Sequence, residues 1–275
     1  MPEMHSPFTL LSSKFPDAAA AFRELRDTWR FLKSRAAISA FGCRLAGNDG
    51  MVTGDYERDE LDLLGELLET ADVLVDIGAN IGLFSCLARS RGKRVIAIEA
   101  MPSNLRYLLR NLEENGFGDV EVIPVAVSAS PGIAKMYASG VGASLLAGWA
   151  GSDESFSTRV TVTTLDSLLA HRLSGLRTVV KMDIEGAEEA ALRGATNLLR
   201  NSPAPSWIVE NNFDEHFPGG KNPDFRRVFS HFWENGYEAF TATKSRDAVT
   251  EQDVDSWLAG RGRPSARNFL FQKPG

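Results

Sequence analysis

The sequence predicts an α/β protein built on a mostly parallel, doubly wound sheet, and three stretches carry that reading. Residues 73–85, VLVDIGANIGLFS, pass from a short apolar strand closed by Asp76 through a turn of small residues into a helix over 83–90. A buried strand that runs through a glycine turn into a helix is a nucleotide-cradling unit. Residues 94–98, RVIAI, form a second apolar strand that ends in Glu99, 21 residues beyond Gly78. Residues 178–183, TVVKMD, form a further strand that leads into the turn Ile184-Glu185-Gly186 and another helix.

The elements follow in order. Residues 1–70 lack β-α-β character and are expected to form an N-terminal helical and hairpin cap over the strand ends. Within them, 16–34 is expected to be a helix whose stripe of Ala19, Phe22, Leu25, Trp29 and Leu32 makes a core face. Residues 41–53, rich in glycine and containing Asn48-Asp49-Gly50, suggest a small hairpin. A helix over 57–69 follows, with Tyr56 and Glu57 as substrate-side candidates or plain surface residues. The main domain is expected over 71–275. Ser103 suits the N-cap of a helix through Glu114, which Asn115-Gly116 would end. Residues 120–127, VEVIPVAV, form the third strand, and Pro124 requires an edge position there. That is the position the order 3-2-1-4-5 assigns to it.

Residues 128–177 are too many for one crossover helix. Strands over 135–139 and 159–164 suggest an inserted hairpin around the loop GVGASLLAGWAG. This loop is either a lid containing Ser144 and Trp149 or a surface loop without a role. A helix then opens at Thr164. Strand four is 178–183, with a helix from Gly186 to Leu199. Strand five is 207–209, ending in Glu210-Asn211-Asn212, and a helix over 225–235 is closed by Gly236. Residues 237–243 and 268–272 complete the sheet as an antiparallel pair, with a short helix over 253–260 between them.

Composition narrows the function class. The 275 residues carry a net charge of -6, and their basic residues are scattered apart from Arg261, Arg263 and Arg267. No nucleic-acid partner is expected. No apolar run reaches transmembrane length, so no membrane partner is expected either. The start, with Glu3, His5 and Pro7, lacks the pattern of a signal peptide. Cys43 and Cys86 fit no ligand spacing. The expectation is a cytoplasmic protein; homo-oligomerisation is left open.

The glycine spacing discriminates between ligands. A dinucleotide fingerprint is G-x-G-x-x-G. Here the spacing is G-x-x-x-G, with Asp76 two residues ahead of Gly78. A carboxylate there repels a pyrophosphate and suits a cationic ligand. The pattern D-x-G-x-x-x-G resembles the first motif of S-adenosylmethionine-dependent methyltransferases, whose donor has a sulfonium, an ammonium and no phosphate. Glu99, at the end of the second strand, would accept hydrogen bonds from ribose hydroxyls. The donor is expected across Asp76, Gly78, Ala79, Asn80, Gly82 and Glu99, with Ala126 and Val127 beside the adenine.

The ordered set DIGANIG at 76–82, TLDSLL at 164–169, KMDIEGAE at 181–188 and NFLF at 268–271 resembles the FkbM family of methyltransferases. The likeness spans residues 55–272, and KMDIEGAE is its most specific part. It implies a Rossmann-like class I methyltransferase fold with a mostly parallel seven-stranded sheet. It also implies O-methylation of a hydroxyl on a polyketide, sugar or other secondary metabolite. Residues 1–54 lie outside it.

Methyl transfer needs the acceptor held in line with the donor methyl and a group that removes the acceptor proton. The catalytic candidates are Asp183, Glu185 and His216. Glu185 could instead cap the following helix, and His216 could be a surface-loop residue. Glu188 and Glu189 are expected to be solvated, and Lys181 to pair with an acid. Asp183, Glu210 and Asn211 end adjacent strands in the pattern of catechol-type methyltransferases, so Mg²⁺ or another divalent ion is a candidate there. Two readings from other classes stand beside this one. A non-catalytic Rossmann-like binding protein would bind donor without turnover. An NAD-dependent oxidoreductase is disfavoured by the glycine spacing and by Asp76.

Overall fold

The computed structural model describes residues 16–47, 50, 58–137, 142–152 and 157–274. Helix α1 (Pro16–Lys33) leads into a two-stranded hairpin, β1 (Ala37–Ile38) and β2 (Arg44–Leu45), and then into α2 (Arg58–Thr70). The core follows as β3 (Val73–Ile77), α3 (Leu83–Ser90), β4 (Arg94–Ile98), α4 (Pro102–Glu114) and β5 (Glu121–Ile123). Then come β6 (Ala126–Val127), β7 (Gly132–Tyr137), β8 (Ser157–Thr163), β9 (Thr178–Met182) and α5 (Glu188–Arg193). The chain ends through β10 (Ser206–Glu210), α6 (Phe225–Trp233), β11 (Glu238–Thr241), β12 (Ala248–Val249), α7 (Glu251–Leu258) and β13 (Asn268–Gln272).

The main sheet has the order β12-β11-β13-β10-β9-β3-β4-β5. Strands β5, β4, β3, β9 and β10 are mutually parallel, and β13 runs antiparallel to both β10 and β11. This is the expected Rossmann-like, doubly wound arrangement, with the short β12 as an eighth strand at the far edge. Alternation along the strands divides the core. Val73, Val75, Val180, Trp207 and Phe271 face α6 and α7, whereas Leu74, Val95, Val179 and Ile208 face α2, α3 and α4. Asp76 and Lys181 are directly paired in register and share this second face.

Four local readings need correction. The predicted strand over 120–127 breaks at Pro124, which has no N–H for the ladder. Ala126–Val127 leaves the main sheet and pairs in parallel with β8, in a three-stranded sheet completed by β7. The N-terminal hairpin turns at Gly42 (φ 87), ahead of the Asp49-Gly50 signal, whose first residue lies outside the described residues with Tyr56 and Glu57. Helix α4 is entered through Met101 and Pro102, so Ser103 is not its cap.

The fourth correction concerns α1. It rests on α4 through Thr28, which accepts from Arg106, and through Phe31, whose ring meets Tyr107 edge-on at 5.1 Å. Arg110 donates to the Ser34 carbonyl and hydroxyl. That contact uses a side of the helix flanking the apolar stripe, and Leu25, Trp29 and Leu32 are 58–74% exposed instead of forming a core face. The hairpin is held differently. Asn111 on α4 accepts from Ala46 N and donates to the Ala46 and Ile81 carbonyls, and Leu45 joins Leu64 and Leu74 in one core.

Among the described glycines, Gly78 has the closest backbone approach. Its φ is +79, and a Cβ there would lie 1.8 Å from the carbonyl oxygen of Asp183. Gly78→Ala is expected to destabilise the protein by about 3 kcal/mol or more. Urea unfolding would check this, and a loss under about 1 kcal/mol would show that the two turns can part at little cost.

Candidate active site

The register of the central strands ends them level. Ile77 pairs with Ile98 on one side and with Met182 on the other, and Met182 pairs with Val209. The residues one position further on, Gly78, Glu99, Asp183 and Glu210, therefore share one end of the sheet. A cleft of about 790 Å³, counting the part open to solvent, lies over this end.

One half of the cleft is made by the turn after β3. The amides of Gly78 and Ala79 donate to the Ile98 carbonyl, at 2.9 and 3.1 Å. Asn80, in the left-handed region at φ 53, donates its backbone N–H to Glu99 Oε2 at 2.8 Å. The other oxygen of Glu99 accepts from Met101 N at 2.7 Å. Burial pushes the Glu99 carboxyl up to about 7, against the pull of these N–H bonds. Asn80 Oδ1 is buried without a hydrogen-bond partner among the described residues, so it is an acceptor available to a cationic ligand. Ala126 and Val127 line the same cleft. This half fits an adenosyl ligand with an ammonium group: a buried ribose-side acid, an orphan amide acceptor and an apolar wall.

Two residues expected at the donor do not line the cleft. Asp76 is fully buried and is not among the lining residues. Its Oδ2 accepts from Ser85 Oγ at 2.6 Å, and Lys181 is its partner in register. It alternates to the face covered by α2, α3 and α4, two residues before Gly78. Burial raises its carboxyl, with Ser85 opposing. Gly82 also lies outside the lining, and a Cβ on it would meet Leu108 Cδ1 at 2.6 Å. Its lack of a side chain serves the packing of α4.

The other half gathers the acids. Carboxylate oxygens of Asp183, Glu185 and Glu210 lie within 4.8 Å of one another. Lys181, 2% exposed, donates to Asp183 Oδ2 at 2.8 Å, and its Nζ lies 4.7 Å from the centre of the Phe84 ring. Burial would raise Asp183, but Lys181 and the hydrogen bond from Glu210 outweigh it and hold the carboxyl below its usual range. Glu210 is pushed well above its usual range by burial and by the negative Asp183 beside it. Lys181, Asp183 and Glu210 thus stand in series: an ammonium, a carboxylate, and a carboxyl that holds its proton more tightly than usual. Glu185 is pushed up to about 8, first by burial and then by Asp183, with an N–H bond from Trp149 opposing. Such a value suits a base that works near neutrality.

Three further expectations meet the geometry. Asn211 does not reach the acids, because its amide donates to the Phe225 carbonyl and accepts from Asn222. His216 is exposed, and its carbonyl accepts from Ala150 N while its ring lies 5.6 Å from that of Trp149. Glu188, expected in solvent, is buried, accepts from the amides of Ile184 and Gly186, and is pushed up to about 7 by burial. Sequence reasoning missed Asn104, Met136 and Leu145 as lining residues; nothing in their local pattern marks them. Lys181 was marked by its place inside an apolar strand.

Comparison with known proteins gives four findings. The methyltransferase FkbM domain matches residues 76–239. A hexuronic acid methyltransferase, AglP, of Haloferax volcanii is 31% identical over 149 residues, which cover 53% of this chain and 59% of that protein. An uncharacterized protein of Methanocaldococcus jannaschii is 32% identical over 71 residues, 25% of this chain and 27% of that one. The chain thus spans between a quarter and three fifths of these relatives. Among solved structures, an O-methyltransferase from Bacillus cereus in complex with SAH aligns at a TM-score of 0.44 and 14% identity, covering 78% of this chain and 80% of that one.

Proposed function

The chain belongs to the FkbM methyltransferase family, and from that premise we propose that it methylates a hydroxyl on a small or medium-sized metabolite. The observation that carries this reading is Glu185, a carboxyl in the cleft wall that is pushed up to about 8 beside Asp183 and Glu210. S-adenosylmethionine, the donor substrate, supplies a methyl carbon already activated by its sulfonium. Gly78, Ala79, Asn80, Glu99, Ala126 and Val127 would hold it. The acceptor oxygen forms its bond to that carbon as the carbon–sulfur bond breaks, and Glu185 takes the hydroxyl proton.

The acids also bear on the acceptor. A carboxylate acceptor would enter against Asp183 and Glu185, with Lys181 already engaged by Asp183. A neutral hydroxyl, as on a sugar or a polyketide, meets no such repulsion. The hexuronic acid named for the Haloferax volcanii relative is compatible with this only if a ring hydroxyl is presented.

Three outcomes are expected. Glu99→Ala should weaken binding of S-adenosylhomocysteine by about 1.5–3 kcal/mol for each ribose hydrogen bond lost; unchanged affinity by calorimetry would remove Glu99 from the donor site. As the base must be deprotonated, kcat should fall as the pH drops through about 8 and level off above it. Glu185→Gln should lower kcat by roughly 10²–10⁴-fold and abolish that limb, and a variant with near-normal kcat would exclude Glu185 as base. The third outcome concerns metal. Lys181 already supplies a cation to Asp183, and Asn211 is engaged elsewhere, so we infer a reaction without a divalent ion. Activity should survive exhaustive EDTA treatment; loss restored by Mg²⁺ would put an ion among the three acids.

A further inference from the structure

The segment inserted between β7 and β8 reaches the candidate base. Trp149 is fully buried, although it belongs to a glycine-rich loop and not to a regular element of the core. Its indole Nε1–H donates to Glu185 Oε2 at 2.8 Å. Ser144, in the same segment, donates its hydroxyl to the Glu185 backbone carbonyl at 2.6 Å. One segment therefore holds both the backbone and the carboxylate of one residue.

The turn that presents Glu185 is shaped for this contact. Glu185 adopts φ 57 and Gly186 φ 93. A Cβ on Gly186 would lie 2.5 Å from the Trp149 ring, so only glycine leaves room for the indole. The ring also meets Phe217, in the loop after β10, edge-on at 4.7 Å. The indole is thus clamped between the turn after β9 and the loop after β10, with its one polar atom aimed at a carboxylate.

A free glutamate rotates about three side-chain bonds, and a base gives up rate when its oxygen wanders from the proton it must take. A hydrogen bond to one carboxylate oxygen removes most of that freedom and leaves the second oxygen for the acceptor. We propose that Trp149 is the positioning residue of the general base: its indole N–H fixes the Glu185 carboxylate against the donor cleft. The proposal rests on the reading of Glu185 as the base. A residue that merely filled the core would do so by shape, and the N–H would be incidental.

Removing the N–H while keeping the shape tests this. Trp149 would be replaced site-specifically by 3-benzothienylalanine, whose sulfur stands where the N–H was, and Trp149→Phe would be made beside it. Thermal unfolding and S-adenosylhomocysteine affinity would report folding and the donor site. The expected result for the isostere is a native unfolding midpoint, donor affinity within about threefold, an acceptor KM within about threefold, and kcat lowered at least tenfold. Wild-type kcat with the isostere would overturn the proposal, since shape alone would then suffice. A fall in KM and donor affinity that matches the loss in kcat would also overturn it, as a general disturbance of the site. Glu185→Gln separates the two levels. If that variant turns over normally, the base assignment fails and the proposal with it; if it is inactive while the isostere is fully active, only the positioning role fails.

Discussion

The contact between Gly78 and the carbonyl of Asp183 joins the two halves of the candidate site. A β-carbon on Gly78 would overlap that oxygen at 1.8 Å, and Asp183 N donates to the Ile77 carbonyl at 3.0 Å. The turn that shapes the donor half and the turn that presents the acids are therefore one packed unit. Neither can shift without the other. The proposed donor half and the turn that presents the proposed base are thus tied by a backbone contact at the end of two adjacent parallel strands. A transfer that depends on holding three atoms in line benefits from that rigidity.

Burial of charge is the second constraint. Lys181 lies within an apolar strand between Asp76 short of the sheet end and Asp183 at it. An unpaired ammonium there would be costly, and its ion pair with Asp183 offsets this cost. The same pair fixes the protons of the neighbouring acids. With Asp183 held ionised by Lys181, Glu210 and Glu185 face a fixed negative charge and retain their protons more strongly. Four titratable groups on two strands then make one coupled system, in which the role of each depends on which already carries charge.

Much of the fold was legible in the sequence because it is locally encoded. The strand, glycine turn and helix over 73–90, the strand ending at Ile98 and the terminal strand 268–272 are set by short apolar runs and small-residue turns. What needed tertiary information was direction and environment. Asp76 reads as a residue at the ligand, and only the register shows it buried beside Lys181 and bonded to Ser85, outside the cleft lining. Gly82 reads as a ligand contact, yet its constraint comes from Leu108, which is remote in sequence. The stripe on α1 has the spacing of a core face, and only the use of Thr28 and Phe31 against α4 decides that it points outward. Pro124 marked an edge correctly, but not that Ala126 and Val127 would pair with a strand more than 30 residues later.

Asn211 shows why strand-end chemistry is the hardest part to read. Its position after Glu210 is consistent with a ligand set, and from the sequence alone no alternative partner is visible. The fold supplies one. The loop after β10 must turn sharply to bring α6 across the sheet, and Asn211, Asn212 and Asn222 satisfy its buried polar groups with one another and with the Phe225 carbonyl. A buried amide left unpaired costs about 1–3 kcal/mol, so this scaffolding demand takes the side chain first. The same reasoning explains Glu188, whose carboxylate receives the amides of Ile184 and Gly186 and so supports the turn that carries Glu185. At this end of the sheet, polar residues divide between those that hold the loops and those left facing the cleft. The division follows from which backbone groups the turns leave unpaired.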